Sequence, residues 1–252
     1  MGPQLVAKSV LLIWNNLWAA LRATAVPVAL SFVVAALLAG AFGGGAEALR
    51  SGAADGVAVL GGFLAFVVVV LGYAWAAVAW HRYVLLEEEP GVLPRPPKDR
   101  VLAYVGAALR LIGPMILVGV LVAVAGLGLL GLVAGFGEGG AALAGLVAVG
   151  LSFAVFYAVL RFSLHLPAAA VGHYMGAFES WAVTAPAKNA ILTAAILLSL
   201  LQGVLGVVAS ALNLAGVAGL LLALIVNWFS TVLGLSILTA LYGHIVEKRP
   251  LD

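Results

Sequence analysis

The side chains best suited to chemistry stand in two places along these 252 residues. Gln202 and Asn227 are amides inside long apolar stretches, and each stands 12.5 residues from position 214.5, the centre of the connection between those stretches. Ser199 and Ser230 stand 15.5 residues from the same point. At 1.5 Å per helical residue the two pairs lie at equal depths, about 19 Å and about 23 Å from the turn. Gln202, Gly206, Ser210 and Asn213 share one helix face, and Asn227, Ser230, Thr231 and Gly234 share another. An unpaired amide in hydrocarbon is costly, so the two faces are expected to meet. Such a cluster is interhelical glue, or else a site for a polar solute. Glue is favoured, because no charged residue accompanies the amides.

The second group is His81, Arg82, Arg161 and His165, at the ends of apolar stretches. Imidazole is the commonest metal ligand. No two of the four His have metal-ligand spacing, so neither a metal, a haem nor any other cofactor is expected. Anchoring to lipid headgroups is the expected role of these His and Arg side chains. Pairing of Arg82 with Glu87 or Glu88, and of Arg161 with Glu179, is the alternative. No Asp, Glu or Lys falls in the middle of a stretch, which argues against proton relays, ion-coupled transport and voltage sensing. The chain lacks a Walker loop, a dinucleotide fingerprint, a zinc-protease motif and a nucleophile elbow. Cysteine is absent, which removes disulfides, thiolate metal sites and Cys nucleophiles.

The elements that position these groups follow from composition. Apolar residues make up 65% of the chain and charged residues 9%, against about 25% charge in soluble domains. So little charge cannot cover a water-soluble surface, and the apolar content excludes disorder. The solvent of this chain is lipid. Nothing in the weak net charge of +2 calls for nucleic acid. Six stretches are long enough to cross about 30 Å of hydrocarbon: 24–43, 57–84, 108–135, 141–164, 190–212 and 215–244. Pro27 falls in the first turn of the first stretch, and Gly113-Pro114 should kink the third.

Residues 3–22 read differently. Lys8, Asn15 and Arg22 recur every seven residues beside Ser9 and Asn16, while Leu5, Leu12, Trp14, Leu17 and Trp18 fill the other faces. This pattern predicts an amphipathic helix lying in the headgroup layer. Nothing resembles a signal-peptide cleavage site near residue 25.

Basic residues set the expected orientation. With the N-terminus inside, the inner side holds Lys8, Arg22, Arg82, Arg95, Lys98, Arg100, Arg110, Arg161, Lys188, Lys248 and Arg249, and the outer side holds Arg50 alone. Six spans with both termini cytoplasmic satisfy this asymmetry, and an odd number destroys it. Amphipathic stretches at 3–22, 99–110 and 176–188 precede the three hairpins, a faint repeat of 80–85 residues. Any six-span chain with cytoplasmic ends also produces such a pattern. Between the second and third spans, Glu87-Glu88-Glu89 and four prolines make a stiff solvated loop or a docking segment, and Asp99 is placed to cap the helix that follows. Small residues, Gly72, Ala76 and Ala79, Gly119, Ala123 and Gly126, and Ala144, Ala148 and Ser152, allow close helix approach.

Two blocks carry a resemblance: Trp80-His81-Arg82-Tyr83-Val84-Leu85-Leu86-Glu87, and Arg161-Phe-Ser-Leu-His-Leu-Pro167 with Phe178-Glu179-Ser180-Trp181-Ala182-Val183-Thr184. Together they resemble a broad group of uncharacterised bacterial six-span inner-membrane proteins, distantly similar to the membrane domain of some glycerophosphodiester phosphodiesterases. The resemblance implies a bacterial inner-membrane location and transfers no catalytic residue, and the soluble phosphodiesterase domain is not among these residues. The expectation is a single all-α polytopic membrane domain. It acts without catalysis as an accessory, assembly or scaffold component, in contact with membrane lipids and another membrane protein. A passive channel or transporter for a small solute or lipid, built around Gln202 and Asn227, is the runner-up. An enzyme using His81, His165 and Glu87 ranks third.

Overall fold

A computed structural model describes residues 1–42, 56–213 and 216–251. The expected outer connection at 44–56, including Glu47, Arg50 and Asp55, therefore lies almost wholly outside the described residues, as do Leu214 and Ala215 of the last connection. The described chain is helical: α1 (Gly2–Asn15), α2 (Leu17–Ala20), a π-helical turn (Leu21–Ala25), α3 (Val26–Ala41), α4 (Gly56–Leu86), α5 (Lys98–Val133), α6 (Glu138–Phe162), α7 (His165–Val171), α8 (Ala177–Val183), α9 (Lys188–Asn213) and α10 (Gly216–Ile245). Among the described residues there is no strand. Among the described residues six helical stretches are long and apolar enough to cross a membrane: Leu17–Ala41, Gly56–Leu86, Lys98–Val133, Gly139–Val171, Ala185–Leu212 and Gly216–Ile245. The protein is an all-α polytopic membrane protein.

The chain divides into two compact units. One holds residues 15–105 with 170–172, and the other holds 1–14, 106–169 and 173–252. In the smaller unit α3 and α4 pack as a hairpin whose closeness depends on glycine. A Cβ on Gly72 would strike Ser31, and one on Gly61 would strike Phe42. Phe32 meets Tyr73 edge to face, with centroids 6.3 Å apart. The π turn stands just before Pro27, which has no N–H to donate to the preceding turn. In the larger unit α9 packs against α6 and α10, and Phe162 and Ala158 of α6 form a core with Ala177, Leu111, Val118 and Trp181.

Three expectations need correction. The helix at 3–22 ends at Asn15, and Leu17 to Arg22 belong to the first apolar stretch. Asn16 leaves helical geometry (φ −127°, ψ 34°), which separates the two. Ser9, expected on the polar stripe, is buried with Gly2, Leu5 and Ile13. A side chain on Gly2 would come within 2.7 Å of Ala190 O and Thr193 Cβ, so this face of α1 packs against α9. Trp14 and Trp18 are instead 75% exposed. Second, residues 99–110 are no separate surface helix. They begin α5, one helix of 36 residues that continues through Pro114. At 1.5 Å per residue it is about 54 Å long, more than a bilayer core needs. Third, Asp99 lies inside the first turn of α5 and pairs with Arg100 at 3.1 Å, so it does not cap the helix.

Candidate functional site

The polar residues of the α9–α10 hairpin meet in a register shifted by one turn from the expected one. Gln202 Nε2 donates to Ser230 O at 3.1 Å, and Ser230 Oγ donates to Gln202 Oε1. Asn227 does not join them. Its Nδ2 donates to Ala223 O in its own helix at 2.8 Å. Ser199 Oγ likewise donates within its helix, to Ile196 O at 3.0 Å. Counting depth along the axis misses a direction: each Cα–Cβ bond tilts toward its own helix N-terminus. In an antiparallel hairpin Gln202 therefore leans away from the connection and Ser230 leans toward it. The two converge, while Asn227 leans away from Gln202.

A second site forms where α6 ends, in place of the expected headgroup anchor. Arg161 is only 4% exposed. Its Nε donates to Thr184 Oγ1 at 2.8 Å, Nη1 to Tyr157 Oη at 2.7 Å and Nη2 to Trp181 O at 2.6 Å. The guanidinium lies 4.0 Å from the Trp181 ring centroid and 5.5 Å from that of Tyr157. Planar, weakly hydrated guanidinium suits such stacking better than an ammonium. Glu179, the expected ionic partner, accepts instead from Gly176 N at 3.2 Å, at the start of α8. Arg161 makes no ion pair among the described residues.

Ser180 closes the same junction. Its Oγ donates to Arg161 O at 2.7 Å and accepts from Leu164 N at 3.0 Å. These are backbone groups that the end of α6 leaves without helical partners. Phe162 stacks on Trp181 with centroids 4.6 Å apart and meets Phe178 at 5.8 Å. His165 is buried too, with Nδ1 2.7 Å from Phe162 O and Nε2 2.9 Å from Ala107 O. The blocks 161–167 and 178–184 are thus two halves of one lock. Sequence reading had both halves but missed Tyr157, Ser180, Trp181 and Thr184 as partners. The available signal was a lone Arg near a run of Ser, Trp and Thr.

The remaining two candidates lie in the smaller unit. His81 is fully buried and tilted against Tyr104 at 5.8 Å between centroids, not reaching outward as an anchor would. Arg82 is partly exposed. It pairs with Glu88 through Nε at 2.7 Å and through Nη2, and its Nη1 donates to Ala170 O at 3.1 Å. Tyr83 Oη donates to Asn16 Oδ1 at 2.7 Å. Among the described residues no three His, Asp or Glu side chains gather as metal ligands would.

No family model matches this chain, and neither a curated protein nor a solved structure does.

The geometry divides the candidates by what they can do. Gln202 with Ser230, and Arg161 with Tyr157, Trp181 and Thr184, have hydrogen bonds filled from within the chain. Such groups hold helices together. Arg82 and its acidic neighbours stand at a helix end where exposed polar groups remain.

Proposed function

We propose that this chain is a multi-pass protein of the bacterial inner membrane with both termini in the cytoplasm, belonging to the six-span group that its two blocks resemble. It works without catalysis, as an accessory, assembly or scaffold component acting through helix and lipid contacts. The reading rests on one observation above all: an amide and a buried guanidinium of the spans, Gln202 and Arg161, are tied to partners in the chain itself. A solute pathway needs polar groups facing an open passage, and these face their own neighbours. Beyond Arg110 the side chains left outward on α5 are apolar, among them Ile116, Leu121, Val124 and Leu127. Gly119, Gly128 and Gly131 have open space where a Cβ would stand, which lets another helix approach closely.

Affinity capture of the full chain in mild detergent, followed by mass spectrometry, tests the proposal. The expected result is a membrane protein recovered at constant ratio with the parent chain and lost when Gly128 and Gly131 are replaced by Leu. A chain recovered alone, whose proteoliposomes pass a solute in a manner abolished by Gln202→Leu, would establish the transport reading instead.

A further inference from the structure

At the end of α4 the chain turns back through Glu87, which has a positive φ of 57°. Glu88 comes round to pair with Arg82. The segment that follows is stiffened by Pro90, Pro94, Pro96 and Pro97. It is pinned to α4 by Trp75, whose Nε1 donates to Pro94 O at 2.9 Å. Between helix end and strap lies a cavity of about 90 Å³ whose charged lining is Arg82, Glu88, Glu89 and Arg95. It has room for several waters, or one small polar headgroup.

The charges of this cavity are specific. Arg82 and Glu88 neutralise one another. Glu89 and Arg95 line the same space, and neither is in an ion pair among the described residues. A separated cation and anion complement a ligand with an anion and a cation of its own. Zero formal charge over the four side chains disfavours a purely anionic ligand. The strap also exposes apolar side chains, Val92 at 76% and Leu93 at 40%. Beside the end of a membrane-crossing helix, these suit the boundary between headgroups and acyl chains.

We propose that this cavity binds the phosphoethanolamine group of a phospholipid, with the phosphate at Arg95 and the ammonium at Glu89. A primary ammonium donates hydrogen bonds to a carboxylate, which a quaternary one cannot. Choline is held by aromatic faces, and the lining here contains no aromatic ring. The inference rests on the membrane reading and not on the scaffold role.

Native mass spectrometry of the full chain, released from nanodiscs holding equal phosphatidylethanolamine, phosphatidylcholine and phosphatidylglycerol, tests it. Phosphatidylethanolamine should be retained preferentially. Glu89→Gln and Arg95→Ala, both on the exposed strap, should each lower that retention about threefold to fivefold, the scale of a partly exposed ion pair. Glycerophosphoethanolamine added in detergent separates the two sources of this chemistry. Displacement of the lipid marks a soluble phosphodiester as able to serve, and no displacement marks the lipid as the ligand. Equal retention of all three lipids, or retention unchanged in both variants, would overturn the proposal. A chain that remains monodisperse without detergent would overturn the membrane reading beneath it.

Discussion

Gln202 and Ser230 exchange two hydrogen bonds across the α9–α10 hairpin although they stand three residues apart in distance from its connection. The tilt of side chains toward each helix N-terminus closes that gap. The same tilt turns Asn227 back onto its own helix.

A double-mutant cycle on Gln202→Leu and Ser230→Ala should therefore give a coupling of about 0.6–2 kcal/mol, the range for hydrogen bonds between membrane helices. Asn227→Leu should couple to Gln202→Leu by about zero, since the two share no bond. Reversible unfolding in mixed micelles measures both. A larger coupling to Asn227 than to Ser230 would refute the observed register.

Arg161 holds α8 against the end of α6 through donors to Thr184 and Trp181 and a stacked indole, while its third donor reaches Tyr157 on α6 itself. Arg161→Ala should cost about 2–4 kcal/mol, as expected for buried bonds to a charged group. Arg161→Lys should recover less than half of this, because an ammonium cannot reproduce the fork. Thermal unfolding in detergent provides the readout, and a variant that melts with the parent would show the lock to be idle.

Ser180→Ala removes an acceptor for Leu164 N and a donor for Arg161 O together. A loss of about 1–3 kcal/mol is expected from the buried backbone groups it leaves unsatisfied. Hydrogen exchange at Leu164 should rise in this variant, while exchange in the middle of α10 stays unchanged. Protection at Leu164 equal to the parent's would contradict the assignment.

Glycines in the two units should behave oppositely. Gly72→Val forces a side chain against Ser31 and should destabilise by about 1–3 kcal/mol. Gly119→Ala meets open space, so it should be neutral or stabilise by up to about 1 kcal/mol through helix propensity. Melting temperatures of the two variants decide the matter.

A chain without cysteine is ready for topology mapping. Ser51→Cys should react with an impermeant maleimide from outside intact cells, and Lys98→Cys and Lys248→Cys only after permeabilisation. The reverse pattern would invert the proposed orientation.

Sequence alone determined the solvent of this protein and the number of its apolar helices. Both depend on quantities that add along the chain: apolar content, run length and scarcity of charge. The 65% apolar fraction and the six long runs needed no partner to be read. The ends of helices were less legible, because Asn16 and the run into α5 are decided by local backbone geometry and not by hydropathy. Tertiary structure alone decided which polar groups meet. Arg161, His165 and His81 stand near span ends, where exposure to headgroups is the ordinary outcome, yet all three are buried. Their burial depends on what folds over each helix end, such as α8 over Arg161, and that lies many residues away in the chain. Side-chain direction likewise chose Ser230 over Asn227 for Gln202, since a hydrogen bond obeys distances in space while a sequence records only separation along the backbone.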